Sequence, residues 1–199
     1  MIGGVVFLSF FSVFSWWVNR FNPSAFDYGI TILVQKAIPL WADEFLSLFS
    51  LLGSFEVVTV FLVAVLLKQK RFFSGILIMG AYLYGMGIEV LGKILIVHPN
   101  PPHDFFRYDL GFVFPSSSLN TGYSFPSGHA YRSVFLLTIM LSFLFKSKIP
   151  KDKKVLLFIL AMVSGFIMLV SRVSLGEHWT TDVVAGAMLG VGLAKLSTV

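Results

Sequence analysis

Three groups of polar residues interrupt an otherwise apolar chain, and their types could perform acid–base and anion-binding chemistry. They are Lys93 with the segment 97–102 (Val-His-Pro-Asn-Pro-Pro), the tetrapeptide 126–129 (Pro-Ser-Gly-His), and the set Ser171, Arg172, His178 and Asp182. Each group stands at the end of an apolar run. Ionisable side chains are costly near hydrocarbon, so such residues are functional candidates by default.

The tetrapeptide predicts an anion site at the start of a helix. Pro126 suits a first helical turn, where its missing N–H costs nothing, and Gly128 allows a ligand to approach the backbone closely. The free N–H groups of that turn would attract an anion beside His129. An ordinary loop-to-helix junction would give the same four residues, so this segment alone does not establish a site.

His178 and Asp182 have a spacing that predicts contact. They lie four residues apart, on one face of a helix if a helix has begun there. A carboxylate bound to one ring nitrogen fixes the tautomer and leaves the other nitrogen as a base or nucleophile. A metal pair is disfavoured because Lys93 and Arg172 would repel a cation.

Lys93, Arg172 and the helix N-terminus predict a cationic pocket that suits phosphate. Arginine makes bidentate phosphate contacts, and lysine acts as a point charge. A single such residue would more often be an interfacial cation with its charge reaching water. Two of them beside two histidines favour a phosphate site. Glu89, four residues before Lys93, is expected to be its ion-pair partner.

The composition indicates that these residues are held by membrane-spanning helices. The chain has 199 residues, of which 56% are hydrophobic and 13% charged, against about 25% charged in soluble domains. It has no cysteine, which excludes disulfides and thiolate metal sites. The net charge of +5 does not indicate nucleic-acid binding, because the charges cluster between apolar runs, as membrane topology requires.

We therefore expect an all-α, polytopic membrane protein with a single domain, residues 1–199. The first apolar run lacks a basic n-region and a cleavage site, so it is expected to be a mature span. Residues 19–41 predict a loop and an amphipathic or interfacial helix. The six predicted transmembrane helices cover residues 2–18, 45–67, 72–97, 129–145, 155–173 and 181–197.

The distribution of basic residues predicts the orientation. Two short loops are rich in Lys and Arg and are expected to be cytoplasmic; their basic residues are Lys68, Lys70 and Arg71, and Lys146, Lys148, Lys151, Lys153 and Lys154. The loops 98–128 and 172–180 then share the outer face, and both termini are cytoplasmic. This predicts a multi-pass protein of the cell membrane with an outward-facing active site, whose aromatic-rich loop could lie at the headgroup level.

The order of the three groups resembles the type 2 phosphatidic acid phosphatase superfamily. The resemblance rests on Lys93, then Pro-Ser-Gly-His at 126–129, then Ser171-Arg172-x5-His178-x3-Asp182. These signatures lie within residues 93–182, and the similarity extends over about residues 89–192. The six-span arrangement is consistent with it.

The resemblance implies a role for each matching residue. His178 would be the nucleophile, Asp182 its orienting partner, and His129 the general acid that protonates the leaving group. No metal or other cofactor is implied. The implied phosphate-binding residues are Lys93, Ser127, Gly128 and Arg172.

One position departs from the family pattern. Where the family has Arg-Pro after six residues from its lysine, this chain has Asn100-Pro101. Asn100 can donate hydrogen bonds but has no charge. We expect Arg107, in a loop that could fold over the pocket, to replace the arginine, with Arg132 as the second candidate.

The resemblance thus predicts an integral membrane phosphatase that hydrolyses a lipid phosphate ester or diphosphate through a phosphohistidine. Phosphatidic acid, phosphatidylglycerophosphate and undecaprenyl diphosphate are the expected substrate class, and membrane lipids the expected partners. A vanadate-dependent haloperoxidase shares the histidine signatures, but six spans disfavour it. A non-catalytic lipid-phosphate binder or transporter remains an alternative, supported only by the missing arginine.

Overall fold

A computed structural model describes residues 2–69, 72–108, 110–112, 114–115 and 122–198 of the chain. As expected, the described residues are α-helical with short 3₁₀ turns and contain no strand. The helices are α1 (Ile2–Phe21), α2 (Ser24–Ala37), α3 (Asp43–Ser50), α4 (Phe55–Gln69), α5 (Phe72–Leu95), α6 (Gly128–Lys146), α7 (Lys151–Ser174) and α8 (Thr180–Ser197).

Helix α8 lies at the centre of the bundle and packs against α1, α2, α5, α6 and α7. Ten of its 18 residues are buried. Its small residues allow this close packing, as is usual between helices in membranes. A Cβ atom at Gly190 would lie 2.7 Å from the backbone oxygen of Tyr131 in α6.

Within the described ranges, fewer helices than the six predicted spans are long and apolar enough, taken one by one, to cross a membrane. Among the described residues, four helices are long and apolar enough to cross a membrane, namely α1, α5, α6 and α7. The bent pair 40–53 and 55–69 would make a fifth. Helix α8 is not among them, and its position inside the bundle gives a physical reason, because its surroundings are protein rather than lipid.

The predicted second span, 45–67, is not one straight helix. It is broken at Ser54 into α3, a 3₁₀ turn (Leu51–Gly53) and α4, with a bend of 53°. A break within a membrane leaves backbone groups without partners, so protein must supply them. Arg132 does so, because its Nε donates to the Gly53 carbonyl at 3.2 Å. The bend also brings α3 against α7.

The expected interfacial segment contains α2, and this helix is fastened to the bundle. It packs on α7 and α8, and its Asp27 and Thr31 side chains are fully buried. The Asp27 carboxylate accepts hydrogen bonds from the backbone N–H of Thr181 at 3.0 Å and from its hydroxyl at 2.6 Å. Helix α2 therefore reaches the start of α8, close to Asp182.

The successive long helices run in alternate directions, so the ends predicted to share a membrane face do meet. The C-terminal ends of α5 and α7 lie beside the N-terminal ends of α6 and α8. The basic connection between α6 and α7 belongs to the opposite end. Of the other predicted basic loop, Lys70 and Arg71 lie outside the described residues.

Candidate active site

A polar cavity of about 290 Å³ lies where these helix ends converge. Both expected catalytic histidines line it, together with three cationic side chains. Its polar lining consists of Ser47, Ser50, Ser54, Glu89, Lys93, Arg132, Arg172, Glu177, His129 and His178, together with Gly128. The sequence groups at 93, 126–129 and 172–182 therefore meet in one site.

His178 and Asp182 are in contact, as their spacing predicted, but for a different local reason. Helix α8 begins at Thr180, so His178 precedes it. Asp182 lies in the first turn, where its Oδ2 accepts the backbone N–H of Trp179 at 3.0 Å and thereby caps the helix. The same oxygen lies 3.3 Å from Nδ1 of His178. Helix capping thus fixes the carboxylate that orients the imidazole.

The protonation of His178 suits a nucleophile. Its side chain is only 12% exposed, and burial lowers its pKa below the ordinary value. The hydrogen bond and charge of Asp182 oppose this shift, while Arg172 and Lys93 add to it. At neutral pH the ring is therefore uncharged. With Nδ1 turned to Asp182, Nε2 remains as the lone-pair atom on the cavity side.

The N-terminus of α6 forms another part of the cavity wall. Ser127 is the N-cap, and its hydroxyl accepts the Ala130 N–H at 3.5 Å. Ser127 is fully buried and is not among the lining residues, whereas Gly128 and His129 are. A Cβ at position 128 would overlap the Glu89 carboxylate. Close packing against α5 thus requires glycine at position 128. A ligand that approached the backbone there would require it for the same reason.

Glu89 holds two of the three cations of the cavity. Its Oε1 accepts from Lys93 Nζ at 2.9 Å, as the sequence predicted, and its Oε2 accepts from Arg132 Nη1 at 2.9 Å. Arg132 is only 8% exposed and is held at its other edge by the Gly53 carbonyl. The contact between Glu89 and Arg132 joins α5 to α6, and nothing in the sequence spacing indicated it.

Arg172 lines the cavity with one donor that has no partner in the described ranges. The residue is 2% exposed, and its Nη2 donates to Glu177, a contact that no spacing in the sequence indicated. Its Nε is buried and has no hydrogen-bond partner among the described residues. An unsatisfied guanidinium N–H is costly in a protein interior. Its position in the cavity wall indicates that an anion would complete its hydrogen bonding.

Arg107 does not occupy the expected position. Its guanidinium pairs with Asp43 at 3.0 Å and donates to the carbonyls of Gln35 and Ile38 at 3.1 Å. These contacts fasten the long loop to the α2–α3 corner, and Arg107 does not line the cavity. The structure thus places Arg132, and not Arg107, in the cavity wall, and which of the two replaces the missing arginine stays a prediction. A loop cation can reach many partners, and here a buried carboxylate outside the cavity binds it.

Asn100 also lies outside the cavity. Its side chain is exposed, and it is not among the lining residues. The position of the missing arginine thus contributes nothing to the cavity wall. Arg132 is the additional cation that the cavity contains beside Lys93 and Arg172.

The long loop covers one side of the cavity with apolar side chains. Those of Phe106, Tyr108, Leu110, Phe112 and Phe114 line it. The serines of α3 and of the break before α4 lie in another part of the wall. The cavity therefore combines cationic side chains with the aromatic and aliphatic side chains of the loop, an arrangement suited to a phosphate attached to a lipid.

Comparisons with known proteins show which family the sequence is similar to. A model of the PAP2 superfamily matches residues 73–199. Phosphatidylglycerophosphatase B of Haemophilus influenzae is 27% identical over 204 residues, covering 87% of this chain and 81% of that protein. An undecaprenyl-diphosphatase of Sulfolobus acidocaldarius is 37% identical over 89 residues, covering 43% of this chain and 39% of its own.

Two solved structures share the fold. A transmembrane PAP2 type phosphatidylglycerolphosphate phosphatase from Bacillus subtilis superposes with a TM-score of 0.78 at 23% identity, covering 99% of this chain and 94% of that one. Aquifex aeolicus LpxE superposes with a TM-score of 0.61 at 23% identity, covering 85% and 93%. At 23% identity, each of these two structures shows that the fold is shared.

Proposed function

The chain belongs to the PAP2 superfamily, and from that premise we propose that it is a membrane lipid phosphatase acting through a phosphohistidine. The observation that carries the proposal is the meeting of two histidines with Arg172 in one cavity, where the buried Nε of Arg172 has no hydrogen-bond partner in the described part of the chain. Lys93 and Arg132 supply further positive charge to the same cavity.

In the first half of the proposed reaction, neutral His178 is the nucleophile. Its Nε2 attacks phosphorus in line with the oxygen of the lipid leaving group, so a P–N bond forms as the P–O bond breaks. His129 donates its proton to the departing oxygen. Asp182 holds the attacking ring through Nδ1 and stabilises the charge that it gains.

In the second half, water hydrolyses the phosphohistidine. His129 is now neutral and accepts a proton from the attacking water. The P–N bond breaks, inorganic phosphate leaves, and His178 and His129 return to their starting states. The same residue thus serves as acid in one step and base in the other.

Transition-state charge would be stabilised by Lys93, Arg132, Arg172 and the N–H groups at the start of α6. Fixed donors and cations aimed at developing charge usually supply a large share of the rate enhancement. Three cationic side chains and the N-terminus of α6 can perform this role, so we propose a mechanism that needs no metal. Ser127 acts in this scheme by capping α6, and Gly128 by admitting the phosphate to the backbone.

The substrate class is a lipid phosphate monoester or diphosphate. The named relatives include a phosphatidylglycerophosphatase and an undecaprenyl-diphosphatase, and phosphatidic acid belongs to the same chemical class. The aromatic and aliphatic side chains of the loop that line the cavity would contact the lipid. We further propose six spans, with the cavity facing outward and both termini in the cytoplasm.

The decisive assay is phosphate release from a panel of lipid monophosphates and diphosphates in mixed micelles, with EDTA present. We expect release from at least one substrate, unchanged by EDTA, in the wild type and in His103→Gln, which alters an exposed histidine outside the cavity. Binding of these lipids without release would instead identify a non-catalytic binder or transporter. Restoration of an EDTA-inhibited rate by a divalent cation would contradict the metal-free mechanism.

A further inference from the structure

Behind Asp182, on the side away from His178, lies a buried polar network that the proposed mechanism does not use. Its members are His98 from the α5–α6 connection, Asp27 from α2, and Thr181 and Asp182 from α8. His98, Asp27 and Asp182 are fully buried, and Thr181 is 2% exposed. The network thus joins three separate parts of the chain directly behind the expected nucleophile.

The hydrogen bonds of Thr181 determine where His98 is protonated. The Thr181 hydroxyl has one hydrogen, which it donates to Oδ2 of Asp27 at 2.6 Å. The same hydroxyl oxygen lies 3.0 Å from Nε2 of His98. It can only accept in that second contact, so Nε2 of His98 carries a hydrogen.

The surroundings of Nε2 are all acceptors. Besides the Thr181 hydroxyl, Oδ2 of Asp27 lies 3.4 Å away and Oδ1 of Asp182 lies 3.6 Å away. The other ring nitrogen, Nδ1, lies 3.4 Å from Oδ1 of Asn22. An imidazole whose two nitrogens both face oxygen acceptors is suited to be doubly protonated and charged.

The charge balance supports the same assignment. Asp27 and Asp182 place two carboxylates in one buried region, and unpaired buried charges are strongly unfavourable. His98 is the titratable side chain that contacts both of them. Its other neighbours, the rings of Phe125 and Trp179, carry no charge. His178 faces the opposite oxygen of Asp182.

We propose that His98 is a positioning residue: a charged bridge between Asp27 and Asp182 that sets the electrostatic field at His178. Oδ1 of Asp182 faces His98, while Oδ2 holds His178 and the Trp179 N–H. The bridge balances one of the two buried carboxylates. His178 consequently experiences one net negative charge behind it rather than two.

The proposal rests on the proposed function for its kinetic test, in which the pH dependence of kcat/KM is compared between variants with one lipid phosphate substrate. His178 must be neutral to attack, so the acid limb reports its titration. The other charged or titratable groups that act on His178 are unchanged in these variants; they are Glu89 and Lys93 of α5, His129 of α6 and Arg172 of α7. His98→Gln keeps a donor near the position of Nε2 but removes the charge. Two uncompensated carboxylates then favour the imidazolium of His178, and the acid limb moves up by about half a pH unit or more.

The double variant His98→Gln, Asp27→Asn provides the critical comparison. It again leaves one negative charge, so its acid limb should return to near that of the wild type. If the network only holds α2 in place, His98→Gln would lower kcat/KM without moving the acid limb of its pH profile. His103→Gln, the exposed histidine outside the network, is the matched control and should leave the limb in place.

Thermal unfolding of the detergent-solubilised protein tests the bridge without reference to catalysis. We expect His98→Gln to lower the Tm and the added Asp27→Asn to recover part of the loss, because it removes the uncompensated charge. An unmoved acid limb in His98→Gln, or a double variant less stable than His98→Gln, would overturn the proposal. Absence of turnover in the wild type would refute the proposed function and leave the Tm order to decide on the bridge.

Discussion

At the scale of single residues, the cations that line the cavity already form ion pairs with carboxylates of this chain. Glu89 binds Lys93 and Arg132, and Glu177 binds Arg172. Paired in this way, the cations keep fixed positions before any phosphate arrives, which is what preorganised stabilisation of a transition state requires. A substrate phosphate would share them with Glu89 and displace the more exposed Glu177.

The different positions of Arg107 and Arg132 give a kinetic prediction, because only Arg132 of the two lines the cavity. Arg132→Gln should lower kcat/KM at least about ten-fold, since a charged hydrogen bond is worth about 1.5–3 kcal/mol. Arg107→Gln should lower it less, because Arg107 binds Asp43 outside the cavity. Steady-state kinetics on both variants, and on Asn100→Arg in the Arg132→Gln background, make the test. A larger loss in Arg107→Gln would return Arg107 to the site.

The depressed pKa of His178 gives a titration prediction. Burial favours the neutral ring, so the imidazolium should appear only as the pH falls below about 6.5, the ordinary value. The chain has four histidines, which makes the ring resonances assignable by single substitutions. NMR titration of the protein in detergent should place the midpoint of His178 below about 6.5. A midpoint above 6.5 would show that Asp182 outweighs burial.

At the scale of elements, the site depends on how four helix ends are brought together. Helices α6 and α8 lie in closest contact, and Ser127 N–H donates to the Asp182 carbonyl at 3.0 Å. The two expected catalytic histidines are thereby placed on adjoining helix starts. Glycines on α8 make this contact possible, because side chains there would meet the backbone of α6.

A pair of glycine substitutions tests that packing. Gly190→Ala would place its Cβ 2.7 Å from the Tyr131 carbonyl oxygen and 2.9 Å from the Phe135 nitrogen. Overpacking of this kind costs about 1–3 kcal/mol, so the Tm should fall. Gly80→Ala, in α5, meets nothing within 4 Å and should be neutral or gain up to about 1 kcal/mol from helix propensity. Equal Tm values for the two variants would contradict the packing described.

The helices and their contacts show which structural features could be predicted from the sequence. Apolar runs located the helices, and the contacts of Lys93 with Glu89 and of His178 with Asp182 followed from spacings of four residues. The break at Ser54 was not predicted, because the group that binds its backbone, Arg132, lies 79 positions from its partner Gly53. The contact of Glu89 with Arg132 and the network of His98 are likewise tertiary. Patterns within one element contain no information about them.

At the scale of the whole molecule, one end of the bundle is basic and the other contains the cavity. The lysines of the α6–α7 connection lie at the end opposite the site, and the polar network of α2, the α5–α6 connection and α8 lies at the site's end. Positive residues favour the cytoplasmic side, so this asymmetry supports an outward-facing cavity. Lipid phosphates of the outer leaflet would then be the accessible substrates.

Cysteine labelling tests the orientation without background, because the chain has no cysteine. Asp104→Cys replaces an exposed residue at the cavity end, and Lys151→Cys one at the start of α7. On intact cells, an impermeant maleimide should label position 104 and reach position 151 only after permeabilisation. The reverse pattern would place the cavity in the cytoplasm.

The central claim, a phosphohistidine at His178, is tested most directly by trapping the intermediate during turnover of a lipid phosphate. The protein is denatured in alkali, where phosphohistidine survives, and the modified peptide is identified by mass spectrometry. We predict phosphate on His178, at most slow formation of this phosphohistidine in His129→Ala, and a loss of turnover of at least about a thousand-fold in His178→Ala. Phosphate on another residue, or release that persists in His178→Ala, would contradict the account.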